Sequence, residues 1–336
     1  MARKSFVVVC LVLSLMCGCS SVLREEGSTA RSEVVGNPLV VAPLDVISSK
    51  GGRSLLRINL NDGPGIAALF NTRYNEIVSA CTQPGTGAVR GYYFCSGVLL
   101  RTVDDGGFKP WEYSPTAIRL RGISFSWLRS DVTTPNLYHA AGFILLSPTD
   151  YQNGVVPGIV AQDLTVCVYP FDAWTTRMMN RNYAGCDFEG TGTGVPQKHW
   201  GSCESKLNIF SSGQWNTYFN SVAKVNYKQC SWNADNPQGW RNMIESRLVF
   251  NDQHGWNEVM LEGPPTGHED NYNEAMRYWT TAFFYDIKKT DALKYAQNFQ
   301  RKMAATGKRV PILKLDFSAA ARSRFQYQLA DQVAYP

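Results

Sequence analysis

An α+β fold built around a mostly antiparallel sheet is what this 336-residue chain predicts. Three observations lead there. Short β-prone runs bounded by Gly, Pro, Asp or Asn fill the stretch up to about residue 170. Helical spacing gathers in the later part, which places helices to one side of the strands. Aromatic residues make up 12% of the chain, with 16 Tyr, a composition that supports a packed core and not a disordered chain.

Taken in order, "LLRINL" (55–60) and "AALF" (67–70) are apolar runs, and "NDGPG" between them reads as a turn. Strands are expected at "YYFCSGVLLRTV" (92–103), "GISFSWL" (122–128), "HAAGFILL" (139–146) and "LTVCVY" (164–169). Residues 172–235 change character and read as a cysteine-rich insertion. Within it, "QWNTYFNSVAKV" (214–225) puts Trp215, Phe219 and Val222 on one helical face. "GWRNMIESR" reads as a short helix, then "WNEVML" and "WTTAFFYDI" as strands. Thr290 reads as the N-cap of a helix that turns Leu293, Ala296, Phe299 and Met303 inward; Gly307 ends it, and "VPILKLDF" (310–317) returns as a strand.

The N-terminus predicts export. Arg3 and Lys4 precede an apolar core from Phe6 to Met16, too short for the roughly 20 residues of a membrane-spanning helix. "MCGCS" comes next and is similar to a bacterial lipobox with Cys19 as the acylated residue; Ser20 after it favours the outer membrane, and simple secretion is the alternative. The expected organisation is a signal peptide at 1–18, a tether and N-terminal extension at 19–54, and one α+β domain at 55–336. Beyond Cys19 the chain keeps six cysteines, Cys81, Cys95, Cys167, Cys186, Cys203 and Cys230. An even count in an oxidising compartment reads as three disulfides, with 15 connectivities open; short loops favour pairing in sequence order.

Much chemistry is excluded. The net charge of +5 is weak for this length, and no basic run is concentrated enough for nucleic acid. His139, His199, His254 and His268 lack ligand spacing, and "GHED" (267–270) reads as an exposed turn, so no metal is expected. "EGTGTGVP" (189–196) fails as a dinucleotide fingerprint because Val195-Pro196 stands where a helix should start. No serine sits in a nucleophile elbow. Glu258 and Glu262 lie about 13 Å apart if on one strand, too far for the roughly 5–9.5 Å of a glycosidase pair.

"GWNEVMLEG" (255–263) leaves a question, because Glu258 opens a run that is otherwise apolar. Either Glu258 lies in solvent at a strand end, or it is a buried acid that needs a partner. "FNTRYN" (70–75), "FCSGVLLRTV" (94–103), "GISFSWLRSD" (122–131), "WNEVMLEG" (256–263) and "AFFY" (282–285), in that order, resemble the signature segments of halovibrins, exported bacterial proteins associated with NAD glycohydrolase and ADP-ribosylating activity. Within them the chain resembles arginine–serine–glutamate ADP-ribosyltransferases. Arg101 stands for the early arginine, Ser124 and Ser126 for Ser-x-Ser, and Glu258 for the second acid of Glu-x-Glu, with Trp256 where the first would be.

The resemblance implies a transferase-like split sandwich and NAD as substrate, with no bound cofactor. It implies Glu258, Ser124 and Arg101 as catalytic residues, with Ser126, Phe125, Trp256, Arg73 and Arg129 as substrate contacts. Breaking the nicotinamide–ribose bond builds positive charge on ribose, which a fixed carboxylate stabilises. An arginine fork suits the pyrophosphate. Trp256 cannot present an acceptor side chain, which favours water as the acceptor. A transferase toxin acting on a host protein and a non-catalytic envelope or adhesion module remain as alternatives.

Overall fold

The computed structural model describes residues 61–78, 81–82, 89–90, 96–104, 109–120, 122–132, 137–145, 165–171, 186–188, 199–223, 229–234, 237–250, 256–263, 267, 269–318, 321 and 323–334. The signal peptide, Cys19, the tether, "LLRINL", "EGTGTGVP", His254 and His268 lie outside these residues. So does the expected Cys81–Cys95 bridge. Everything described belongs to one compact unit, Val41–Pro336.

The strands are β1 Cys81–Thr82, β2 Val89–Arg90, β3 Val98–Val103, β4 Gly122–Leu128, β5 Ala141–Leu145 and β6 Thr165–Tyr169. They continue as β7 Asp187–Phe188, β8 His199–Trp200, β9 Trp232–Asn233, β10 Glu258–Glu262, β11 Thr280–Asp286, β12 Ile312–Leu315 and β13 Phe325–Tyr327. Nine of them form one open sheet in the order β13-β12-β11-β5-β3-β4-β10-β6-β9. Every pairing in it is antiparallel except β11 with β12. A parallel pair needs a crossover, and a helix supplies it here.

The helices are α1 Gly63–Asn75, α2 Pro115–Leu120, α3 Ser202–Leu207, α4 Ser212–Tyr218, α5 Pro237–Phe250, α6 Glu269–Trp279 and α7 Ala292–Ala304. Strand alternation sends Leu99, Ile123, Phe125, Trp127, Phe143 and Val259 to one face, where Trp215, Trp240, Met276, Phe299 and Met303 from the later helices cover them. The other face carries Val98, Leu100, Leu128 and Ile144 beneath Ile66 and Phe70 of α1. A third, smaller cluster joins Cys167, Tyr169, Cys186 and Met260 on β6 and β10. The α+β expectation and the antiparallel core stand, with α1 alone opposite the other helices.

Two elements depart from the sequence reading. "NDGPG" is no turn but the start of α1: the Asp62 carboxylate accepts from the Gly65 N–H at 2.9 Å, and Pro64 sits in the first turn where its missing N–H costs nothing. "GHED" is likewise not a simple turn, since Glu269 and Asp270 begin α6, where acids suit the helix dipole. The cap of α7 is Asp291 and not Thr290. Ala296, Phe299 and Met303 point inward as expected, while Leu293 is half-buried.

The described residues of the cysteine-rich region are part of the core. Cys167–Cys186 and Cys203–Cys230 are bridged, as pairing in sequence order expects. Trp215 stacks on Phe219 at 4.7 Å inside the main cluster, α4 runs on into a π-helical turn at Phe219–Ala223, and β9 forms the sheet edge.

Glu204 on α3 is one of several polar side chains here with a buried atom left without a hydrogen bond. Its Oε2 is buried with no hydrogen-bond partner, and a Cβ at Gly201 would stand 2.3 Å from it. Burial pushes its pKa up to about 7, against hydrogen bonds from its own backbone and that of Asn233. A carboxyl whose folded pKa is raised resists ionisation in the folded state, so stability is lost as pH rises from about 4.5 to about 7. Glu204→Gln should therefore be more stable than wild type above pH 7, with the gain vanishing toward pH 4.5, in urea melts across that range.

Candidate functional site

The site is set by how β10 sits against β4. Val259 pairs with Phe125, Met260 with Ser124, and Leu261 with Ile123. Just before the strand, the Asn257 side chain acts as one more backbone partner. It accepts from the Trp127 N–H at 2.8 Å and donates to the Trp127 carbonyl at 2.7 Å. Asn257 is fully buried, and Trp127 is itself fixed by an Nε1 bond to the Ser96 carbonyl at 3.1 Å.

One step beyond the Val259–Phe125 pair, Glu258 lies across from Ser126. Residues opposite each other share a face with Cβ atoms about 4.5–5.5 Å apart, so Glu258, Ser126 and Ser124 form one polar strip. Apolar clusters flank it, Leu100 and Leu128 on one side and Met260 and Tyr169 on the other. Glu258 is only 1% exposed, which removes the reading of a solvated strand end. Ser126 is buried and Ser124 half-buried, so solvent approaches the strip from the Ser124 end.

Arg101 meets the backbone of the strip from the neighbouring strand. Leu100 pairs with Ser126, so the pleat sends the Arg101 Cβ to the opposite face, with Phe143. The β3–β4 ladder, however, stops at Leu100–Ser126. Beyond it the strands part, and the Arg101 guanidinium takes the free carbonyl of Ser124 at 2.5 Å. Gly142 on β5 accommodates this, because a Cβ there would fall 1.9 Å from the Arg101 carbonyl. Burial lowers the Arg101 pKa to about 10, with Tyr113, Glu258 and Asp104 drawing it back up. Among the described residues, the Ser124 carbonyl is the hydrogen-bond acceptor shown for this guanidinium.

The two competing arginines are engaged elsewhere. Arg129, 2% exposed, grips Asp131 through two bonds of 2.6 and 2.7 Å, donates to Val78 and Ser96, and lies over the Trp127 ring. Arg73 donates to the Gly97 carbonyl at 3.1 Å and is buried against β3's approach. Phe125 is corrected outright: it is 1% exposed on the helical face, edge-on to Phe143 at 5.7 Å, and alternation keeps it from any ligand beside Glu258. Trp256 is half-buried, edge-on to Tyr138 at 5.7 Å.

Asn257, Tyr113, Tyr138 and His139 were not picked out from sequence as site residues. Tyr113 donates to the Glu262 carbonyl at 3.1 Å, and burial raises its pKa far above the usual range for a phenol. Burial lowers the pKa of His139, opposed by Asp104 and reinforced by Arg101 and Lys289. Among the described residues no group of His, Cys, Asp or Glu is arranged to hold a metal, and no helix is long and apolar enough to cross a membrane.

Asn257→Ala would orphan both buried backbone groups of Trp127, each worth about 1–3 kcal/mol. Unfolding free energy should fall on the order of 3 kcal/mol by that measure, read as a lower urea midpoint at unchanged slope. Asn257→Asp should not restore it, because it sets an acceptor against the Trp127 carbonyl. No protein-family model matches the chain, and neither does any curated protein.

Proposed function

We propose that this protein is an exported NAD glycohydrolase with a transferase-like core. The observation that carries the reading is the single strip formed by Glu258, Ser126 and Ser124, with the Arg101 guanidinium bonded to the Ser124 carbonyl beside it. The parting of β3 from β4 after three paired positions is consistent with the split sandwich that the resemblance implies. Glu258 is among the groups whose charge favours the protonated Arg101.

In this reading the Arg101 fork takes the NAD pyrophosphate, and the Glu258 carboxylate faces the ribose. As the C1′–nitrogen bond breaks, its electron pair leaves with nicotinamide, and positive charge on ribose is stabilised by Glu258. Ser124 and Ser126 hold the carboxylate and ribose in line. Water adds at C1′ and loses a proton, giving ADP-ribose. Trp256, packed on Tyr138, offers no carboxylate to an acceptor side chain, which favours hydrolysis over transfer.

Glu258→Gln keeps the shape and removes the charge, so turnover should fall on the order of 10²–10³-fold. KM should change much less, because the interaction strengthens mainly in the transition state. Glu262→Gln, at the far end of β10, should release nicotinamide at close to the wild-type rate. Release is measured from oxidised protein without its N-terminal segment, with circular dichroism as the folding control. Equal rates for wild type and Glu258→Gln would leave Glu258 as a buried structural acid and nothing more.

A further inference from the structure

The segment 137–140 leads into β5 without belonging to any strand, and one side chain from the end of the neighbouring strand β11 clasps its backbone. Lys289 lies just past the end of β11. Its ammonium donates to three successive carbonyls, those of Leu137, Tyr138 at 3.0 Å and His139 at 3.4 Å. The next carbonyl, Ala140, accepts from the Asp286 N–H at 2.9 Å. Four consecutive acceptors are thus held by the β11 end. Leu137 is buried among α1 and β3 residues, which anchors the segment at its start.

The side chains of this segment bear on the site. Tyr138 is 70% exposed, although its ring packs edge-on against both His139 at 4.5 Å and Trp256 at 5.7 Å. The His139 imidazole lies within electrostatic reach of Arg101 and Asp104. An exposed aromatic ring, braced by two others near a guanidinium, suits a ligand that is both planar and anionic, as a dinucleotide is. A loop ring held this way would have to be fixed by its backbone, since its own side chain is mostly in water.

We propose that Lys289 is a positioning residue: its clasp on the 137–139 carbonyls sets the Tyr138 ring against Trp256 and so forms the aromatic wall of the substrate site. The proposal rests on the NAD glycohydrolase reading for its substrate, but not for its structural half. Lys289 touches no substrate and acts through Tyr138.

Lys289→Met, Lys289→Arg, Tyr138→Ala and the Lys289→Met/Tyr138→Ala double variant test it. In Lys289→Met, amide hydrogen exchange in a peptide covering 137–140 should quicken while peptides covering β3 and β4 stay as in wild type. KM for NAD should rise about tenfold, equivalent to ~1.4 kcal/mol of binding, with kcat nearly kept. Lys289→Arg should recover most of both effects, and the double variant should be no worse than Tyr138→Ala alone. Unchanged exchange at 137–140 would overturn the clasp. Faster exchange with an unchanged KM, or additive effects in the double variant, would overturn the positioning role. If wild type releases no nicotinamide, the functional reading fails, and the clasp stands or falls on exchange alone.

Discussion

A slip of one residue between β10 and β4 would turn Glu258 into the helical core and Val259 onto the serine strip. Side-chain direction in a strand has a period of two, so register decides what the site contains. Burial alone fixes much of it, since Val259 and Leu261 need the helical face. The Asn257 amide adds a specific lock, because its donor and acceptor match the Trp127 backbone in this register alone. Trp127 in turn packs on Trp240 of α5 at 5.2 Å. The polar strip thus inherits its geometry from a side chain and a helix that would touch no ligand.

Buried charge is handled in two contrasting ways on neighbouring strands. Arg129, just past β4, is enclosed by a carboxylate, a hydroxyl, a carbonyl and an indole face, the arrangement expected of a cation whose desolvation must be offset locally. Arg101 is half-buried, bonds one carbonyl among the described residues, and has its pKa depressed by burial. Arg129 is suited to hold the chain together, whereas Arg101 ties one strand to its neighbour through a single carbonyl.

Much of the fold was readable because its signals are local. The strands at 98–103, 122–128, 141–145 and 165–169 and the inward face of α7 follow from runs and periodicity. α1 was hidden because Asp-Gly-Pro-Gly is equally a turn and a helix start, and only the apolar spacing of Ile66, Ala67 and Phe70 after it distinguishes the two. α6 was hidden because its apolar residues, Ala275, Met276 and Trp279, come only after a polar opening. At the site, the alternation of Ser124 and Ser126 with Phe125 was legible. The point where β3 leaves β4 was not, so neither was the route Arg101 takes. Asn257 and Lys289 act across 130 and about 150 positions through side chain to backbone bonds, which leave no periodic trace.

The two ends of the described chain close on each other. Asn71 of α1 exchanges two hydrogen bonds with the backbone of Phe325, at 2.7 and 3.0 Å, across 254 positions. Phe70 meets the Phe325 ring at 5.6 Å, and β13 seals the sheet edge beside β12. The Asn71–Phe325 contact therefore forms only after the strands between them have been made, although Ile66 and Phe70 also pack on Val98, Leu100, Leu128 and Ile144. Such distant pairings fold slowly and late.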